Sequence, residues 1–203
     1  MSPFRPSLRD RRRAETQRAI QRHAVRLFIE RGYDTVTVNE VAEAAGVSPM
    51  TLYRHFPTKE DLVLVDQHNL LIAAQIAAGP AYGPLVRRIG RALVEAADQL
   101  VRSRDDADEL LLERLRVMIA TPALRARHLD SQYATQQAIV DALRGEGDDP
   151  EAEFRARAAA GACLATLHVA LLRWSDEGGR SDLAGLIAAA LSATFGPEEF
   201  DTR

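Results

Sequence analysis

Apolar residues recur every three to four positions along most of the chain, which is the spacing of amphipathic α-helices. No segment alternates apolar and polar residues with the period of two that a half-buried β-strand requires. The pattern therefore predicts an all-α fold of about nine helices. The predicted helices cover residues 10–30, 38–45, 49–55, 59–77, 84–103, 106–120, 122–144, 150–176 and 182–195.

Helix start signals are dense in the first seventy residues. The sequence TVNE, which begins at Thr37, has the residue pair of a capping box, and a glycine ends the short helix that follows. Ser48 and Pro49 are preferred residues for the N-cap and the first position of the next helix. Thr58 precedes the predicted helix 59–77 in the same way. Four helix starts and stops are thus marked by local chemistry.

Two short helices joined by a tight, glycine-containing turn form a helix-turn-helix, here at about residues 37–56. Four apolar residues could close a core between the two helices: Val41, Ala42, Val47 and Leu52. The second helix would then be free to enter the DNA major groove. The residues that it would expose are Ser48, Pro49, Met50, Thr51, Tyr53, Arg54 and His55.

The exposed residues of this helix are suited to contacts with DNA. Arg54 can form a bidentate pair with guanine, and Pro49 and Met50 can touch thymine methyl groups. Tyr53 and His55 more naturally reach phosphate oxygens. The sequence therefore indicates base reading by this short helix.

Further basic residues lie on both sides of the helix-turn-helix. Lys59, the only lysine, falls in the first turn of the predicted helix 59–77, where its charge is unfavourable for the macrodipole unless an anion such as phosphate binds. A solvated surface lysine is the alternative. Arg11, Arg12 and Arg13 are predicted to form a flexible arm that follows the DNA backbone or enters the minor groove.

Charge and composition narrow the class of protein. Residues 1–60 carry 11 basic and 7 acidic side chains, whereas the remainder carries 15 basic and 22 acidic ones. This asymmetry indicates either a polyanion-binding N-terminal domain or a solvated basic tail. The single cysteine, the charged N-terminus and the polar interruptions in the most apolar stretch, residues 62–78, predict a cytoplasmic protein. No cofactor is expected.

The segment ETQRAIQRHAVRLFIERGYDTVTVNEVAEAAGVSPMTLYRHFPTKEDLV, residues 15–63, closely resembles the DNA-binding domain of TetR-type transcriptional regulators. The resemblance implies a homodimeric repressor that a small molecule releases from a palindromic operator. It implies a DNA-binding domain at residues 1–60 and an effector-binding and dimerisation domain at 61–203, connected by the helix 59–77. It also implies phosphate contacts at Thr37, Thr51, Tyr53, His55 and Lys59.

The resemblance places Pro49, Met50 and Arg54 near the bases. Many relatives have glycine near the position of Met50, so the base preference of the family cannot be transferred to this chain.

The last two predicted helices are candidates for a dimer interface. Alanine and glycine are frequent in residues 154–174, and residues 183–195 carry a wide apolar stripe. Pairing with their symmetry mates would give a four-helix interface, as the resemblance implies. The alternative is that these faces pack only within one protomer. The interface candidates are Gly161, Ala165, Leu183, Leu186, Ile187, Ala190 and Leu191.

Polar residues that interrupt apolar stripes are candidates for effector contact, because buried polar groups need partners. The candidates are Arg114 with Met118 of the stripe that it interrupts, Gln136 with Tyr133 of the stripe that begins at Leu129, and His168. The alternative for each is a partner within the protein. Residues 112–132 also loosely resemble a TetR subgroup that is associated with acyl-CoA-like effectors. Arg125, Arg127 or His128 would then lie near the pocket mouth, and a drug-like or aromatic effector is the rival.

Other function classes have little support in the sequence. Walker loops, dinucleotide glycine fingerprints, nucleophile elbows and zinc-protease motifs are absent, and the five histidines are scattered, so an enzyme is not expected. An architectural DNA binder without an effector remains an alternative, although it would leave the long C-terminal part unexplained.

Overall fold

The computed structural model describes residues 8–64, 67–102, 107–144 and 149–197. Within these ranges the chain forms nine α-helices and one short 3-10 turn, Glu60–Leu62, so the predicted all-α class is confirmed. The helices are α1 Leu8–Arg31, α2 Val38–Ala44, α3 Pro49–His55, α4 Gln67–Ala78, α5 Leu85–Arg102, α6 Ala107–Ala120, α7 Pro122–Leu143, α8 Pro150–Asp176 and α9 Leu183–Phe195.

The predicted arginine arm is wrong, because Arg11, Arg12 and Arg13 lie within α1. Residues 8–31 contain neither glycine nor proline, and arginine is a good helix former, so the helix extends through the basic run. Thr16 Oγ1 donates a hydrogen bond to the Arg12 carbonyl 2.9 Å away, one helical turn earlier. The side chain of Arg11 falls outside the described part of the structure.

The predicted helix 59–77 is interrupted. Thr58 and Asp61 cap the 3-10 turn reciprocally, with each backbone N–H donating to the other side chain. The turn does not continue as a helix, because Leu64 is non-helical and α4 begins only at Gln67. The carbonyl of Val63, where the turn ends, accepts a hydrogen bond from Arg114 Nε at 2.7 Å. A tertiary contact from α6 thus fixes the backbone at this break.

Local caps set the other boundaries largely as predicted. Thr37 completes the capping box of α2, Ser48 accepts from the backbone N–H of Thr51 at the start of α3, and Asp149 caps α8. The last helix departs by one residue. Its N-cap is Asp182, which accepts from the Gly185 N–H, so the helix begins at Leu183 and not at residue 182.

The three N-terminal helices close one small core. Gly46, with a positive φ of 65°, makes the turn between α2 and α3, which few other residues could make without strain. Leu52 of α3, the helix that packs against α2, is fully buried in the hydrophobic core, and Val47 packs at its edge. The other buried residues of this core include Ile20, Ala24, Val25, Phe28, Val41 and Ala42.

The six C-terminal helices form a bundle that is joined to the N-terminal unit through contact of α1 with α6. α8 is its central helix and packs against α5, α6, α7 and α9. Cys163 and Trp174 are buried there, and the Trp174 indole N–H donates to the Ser181 carbonyl at 2.9 Å. By length and composition α8 could cross a membrane, but here it packs as the core helix of a bundle.

We expect the stability of the N-terminal unit to depend on Leu52 and not on Met50, its neighbour on α3. Leu52→Ala leaves a cavity in a closed core and should cost about 2–5 kcal/mol in the free energy of unfolding. Met50→Ala removes a side chain that is 78% exposed and should change that free energy by about 0.5 kcal/mol or less. Urea unfolding of both variants measures the difference, and equal effects would contradict the packing described.

Candidate DNA interface and effector cavity

The N-terminal end of α3 is held rigidly by its own side chains. The Ser48 hydroxyl accepts from the Thr51 N–H at 3.1 Å and donates to the Thr51 hydroxyl at 3.0 Å. Leu52, one residue further on, anchors the helix to the core. A helix of seven residues is not stable by itself, so these contacts are what fix its orientation.

The opposite face of α3 is open to solvent. Pro49, Met50, Tyr53 and Arg54 are all exposed, as the sequence predicted, and Thr51 is partly buried at the helix start. The exposed face combines a cation, a phenol and a thioether on little more than one helical turn. This composition can supply both base and phosphate contacts.

His55 lies at the end of α3 and is partly buried. Its Nδ1 atom is buried and has no hydrogen-bond partner among the described residues. Burial lowers the pKa of His55 below its ordinary value, and the positive charges of Arg13 and Arg54 lower it further. Arg13 therefore stands near the C-terminal end of α3, so this part of α1 adds positive charge beside the exposed face.

The start of α2 is occupied by an internal network. The Thr37 backbone N–H and hydroxyl both donate to Glu40 Oε2 at 2.8 Å, and Arg31 Nη2 donates to the other carboxylate oxygen at 2.6 Å. These bonds lower the pKa of Glu40 to about 2, with the Thr37 backbone bond as the largest cause. The Thr37 side chain is thus already bonded within the protein.

Lys59 is neither a solvated surface lysine nor the first residue of a long helix. Its Nζ atom lies 4.3 Å from the ring centroid of Tyr33 and 5.6 Å from that of Phe28, and it donates a hydrogen bond to the Tyr33 carbonyl. The ammonium group fastens the segment after α3 to the end of α1. No sequence pattern indicated this role for Tyr33, since the two residues are 26 positions apart.

A cavity of about 180 Å³ lies inside the C-terminal bundle. Helices α4 to α9 all contribute to its walls, together with Val63 and Leu64 from the segment before α4. Most of the lining is aliphatic. The apolar residues are Val63, Leu64, Leu71, Ile72, Leu93, Ala96, Ala97, Leu111, Leu115, Met118, Leu164, Leu167, Leu171, Leu183 and Ile187.

One wall of the cavity is polar. His128, Ser131, Gln132 and Thr135 line it from α7 at positions i, i+3, i+4 and i+7, which places them on one helix face. His168 of α8 faces this stripe, with its ring centroid 5.6 Å from that of His128. His168 Nδ1 is buried without a partner among the described residues, while Gln132 Nε2 lies 3.3 Å from His128 Nε2.

Burial and the neighbouring His168 lower the pKa of His128, so its ring is disfavoured in the charged form.

Arg114 of α6 is the only basic residue other than histidine in the described lining. Burial lowers its pKa to about 10, and its one hydrogen bond in the described structure goes to the Val63 carbonyl. No carboxylate lies within ion-pair distance of it in the described ranges. The guanidinium therefore remains charged at neutral pH and has no counter-ion among these residues.

The predicted effector residues divide into two groups. Arg114, Met118 and His168 line the cavity, and His128 does so as well. The other two predicted contacts, Tyr133 and Gln136, do not line it. Tyr133 is 72% exposed.

The sequence predicts the wrong face of α7 to line the cavity, because the apolar residues of this helix are spread around its axis. The predicted apolar stripe began at Leu129 and Tyr133, which are both exposed. Gln136 instead donates to the Arg157 carbonyl of α8 at 2.7 Å. Arg125 and Arg127 are exposed outside the cavity, where Arg127 pairs with Asp130. The spacing of His128 and Thr135 was the signal that could have identified the inward face.

Three residues predicted for a dimer interface lie inside the protomer instead. Leu183, Ile187 and Leu191 are buried, and the first two line the cavity. Because α9 is apolar on almost every side, the sequence pattern could not say which face turns inward. Leu186 and Ala190 are partly buried on the flanks of that face.

Gly161 serves a contact between α7 and α8 within the protomer. A Cβ atom at this position would lie 2.9 Å from Gln136 Nε2, so glycine leaves room for the amide. Ala165, by contrast, is exposed on the outer face of α8. It belongs to a row of small and apolar exposed residues formed by Ala158, Ala162, Ala165 and Val169 of α8 and by Gly185, Ala189 and Ala193 of α9.

The described residues contain no group of three or more His, Cys, Asp or Glu side chains that could hold a metal ion. Burial raises the pKa of the Cys163 thiol to about 12, which makes it a poor nucleophile.

Two family models match the chain. Residues 20–65 match the model of bacterial regulatory proteins of the TetR family, and residues 86–195 match the MftR C-terminal domain. The first range contains the helix-turn-helix, and the second contains most of the bundle that encloses the cavity. These two matches define a DNA-binding transcriptional regulator.

Individual relatives agree with this class. The transcriptional regulator TcmR of Streptomyces glaucescens is 32% identical over 164 residues, which are 77% of this chain and 71% of TcmR. A TetR-family regulator from Streptomyces coelicolor A3 matches the fold with a TM-score of 0.56 at 22% identity, over 95% of this chain and 97% of the other. The chain belongs to the TetR family of bacterial regulatory proteins.

The TetR-family repressor FadR of Thermus thermophilus, solved in complex with lauroyl-CoA, matches with a TM-score of 0.51 at 21% identity. The match covers 92% of this chain and 96% of that one. At such identity the likeness concerns the fold alone.

The Glu40 network predicts a pH-dependent contribution to stability. Because folding lowers the pKa of Glu40 from 4.5 to about 2, its contribution is complete above about pH 5 and is lost as the pH falls through 2. Wild type should therefore melt at a higher temperature than Glu40→Gln at pH 7, and the gap should narrow between pH 5 and pH 2. Differential scanning fluorimetry measures it. Glu43→Gln, the same change on an exposed residue of α2, is the matched control, and a gap that is independent of pH would contradict the assignment.

Proposed function

We propose that the protein is a homodimeric repressor that binds a palindromic DNA operator and leaves it when a small, largely apolar effector enters the cavity. One observation carries this proposal: the same chain has an exposed, rigidly held α3 and a cavity that reaches the DNA-binding half. The cavity reaches it at Val63, which is part of the lining. Action on chromosomal DNA would place the protein in the cytoplasm.

Sequence reading would fall to the exposed side of α3. Arg54 is the residue best suited to a guanine edge, and Met50 and Pro49 offer apolar contacts to thymine. Thr51, Tyr53, His55, Arg12 and Arg13 would contribute phosphate contacts. Lys59 would contribute less through its side chain, since the ammonium already rests on Tyr33.

The exposed row of small residues on α8 and α9 supports dimerisation through these two helices. Val169, at its centre, is 61% exposed, and the alanines and Gly185 around it allow helices to approach closely. Two-fold symmetry would bring the same row of the second protomer against it. Two recognition helices could then reach half-sites about 34 Å apart.

An effector-independent architectural DNA binder is the weaker alternative. Such a protein has no use for an aliphatic cavity with one polar wall and an arginine that no described carboxylate balances. Two classes of effector compete. One is an acyl-CoA thioester, such as the lauroyl-CoA in the complex of Thermus thermophilus FadR, and the other is a smaller hydrophobic or aromatic molecule.

We expect Arg54→Ala to reduce sequence-specific DNA binding. Selection from a pool of random duplexes gives the preferred site, and fluorescence anisotropy then compares wild type with variant on that site and on a scrambled duplex. Loss of one guanine contact should weaken specific binding by roughly 5- to 150-fold and leave scrambled binding nearly unchanged. Arg155→Ala, an exposed arginine on α8, is the control. An equal loss on both duplexes would assign Arg54 to phosphate.

A charge placed in the row of small residues should separate the protomers. Val169→Glu should convert a dimer into a monomer in sedimentation velocity experiments, because two-fold symmetry would bring two carboxylates into one buried contact. Leu129→Glu, the same change at an exposed position of α7, is the matched control and should leave the dimer intact. A Val169→Glu variant that sediments as wild type would refute this interface.

A further inference from the structure

The lining of the cavity carries a positive charge that the described protein does not balance. Burial lowers the pKa of Arg114. Within the described ranges the guanidinium has one hydrogen bond, from Nε to the Val63 carbonyl. A partly buried cation without a counter-ion costs stability, and a carboxylate is the partner that matches a guanidinium best.

The polar wall adds hydrogen-bonding groups from α7 and α8. His168 Nδ1 is buried with no partner in the described part of the chain, and its ring stands beside that of His128. The α7 stripe, from His128 to Thr135, spans about 10 Å along the helix axis. A ligand oxygen that reaches this wall could pair with the buried His168 Nδ1.

The rest of the lining and the size of the cavity limit the body of the ligand. The remaining walls are aliphatic, with residues such as Ile72, Leu93 and Leu164. Cavities of about 150 Å³ bind benzene, so 180 Å³ suits one or two fused rings or a chain of moderate length.

We propose that the effector is a small, largely apolar carboxylic acid that binds as its anion, with its carboxylate on Arg114 and its body against the aliphatic walls. This inference rests on the proposed function, since it concerns the same cavity. It chooses the free acid over its CoA thioester, because the thioester would bring only an uncharged carbonyl to the guanidinium.

Binding of an acid at this point would act directly on the DNA-binding half. Arg114 holds the Val63 carbonyl at the break between the 3-10 turn and α4. A carboxylate that draws the guanidinium toward the cavity would strain or release this bond. α6 also packs against α1, so a shift of Arg114 reaches two places in the N-terminal unit.

The test compares each acid with its uncharged amide by isothermal titration calorimetry at pH 7.4. The probe pairs are 2-naphthoic acid with 2-naphthamide and octanoic acid with octanamide, and octanoyl-CoA is titrated in parallel. At least one acid should bind wild type about tenfold or more tightly than its amide, because a charge-assisted bond to Arg114 exists only for the anion. Equal affinity within each pair, or binding of octanoyl-CoA alone, would overturn the proposal.

Variants assign the preference to Arg114. Arg114→Met should reduce the acid-to-amide ratio to within about threefold, while Arg116→Met, an exposed arginine on the same helix, should leave it unchanged. Circular dichroism checks that each variant folds. If Arg114→Met does not fold, Arg114→Lys takes its place. This variant keeps the charge and should still bind the acid more tightly than the amide. Loss of that difference in Arg114→Lys would count against a charge-based contact.

DNA binding by wild type, measured without any ligand, separates the two proposals. A protein that binds its selected duplex but neither acid still stands as a regulator, and only the effector inference fails. A protein that binds an acid but no duplex sequence-specifically would refute the proposed function and leave the ligand assignment standing.

Discussion

The DNA-binding half depends on one constraint: a helix of seven residues cannot hold its shape in water. Burial of Leu52 and the cap of Ser48 supply what α3 lacks by itself. Because these stabilising contacts lie on one side of α3, the exposed residues on its other side are not needed for folding. Met50 and Arg54 can therefore vary with the DNA sequence to be read, at little cost to the fold. A rigid helix with an unconstrained outer face is what sequence-specific recognition requires.

Helix bounds followed from the sequence to within about two residues in most places, because caps and breakers act locally. The break before α4 did not, since no glycine or proline marks it and a hydrogen bond from Arg114, 51 residues away, fixes it. Helix faces were predictable only where polar and apolar residues segregate. Arg114 and His168 both line the cavity, and each is a single polar residue that interrupts an aliphatic stripe, on α6 and α8 respectively.

The failures have the same physical origin. α9 is apolar on nearly all sides, and α7 mixes polar and apolar residues around its axis, so the rotation of each helix is set by its neighbours. Lys59 shows a related limit. The sequence predicts a long helix whose dipole would make Lys59 a phosphate contact. In the structure the Lys59 ammonium instead lies over the ring of Tyr33. Contacts between residues distant in sequence decided each of these cases.

Partial burial of the charged Arg114 side chain carries a cost in stability. Its pKa of about 10 keeps it charged at any physiological pH, so the cost of burial is not relieved by loss of a proton. An apolar residue of similar length would fill the same space among Leu111, Leu115 and Met118 at lower cost. The hydrogen bond to Val63 recovers part of that cost and also connects the cavity to the backbone beside the DNA-binding unit. Arg114 thus contacts both the cavity and the backbone next to the DNA-binding unit.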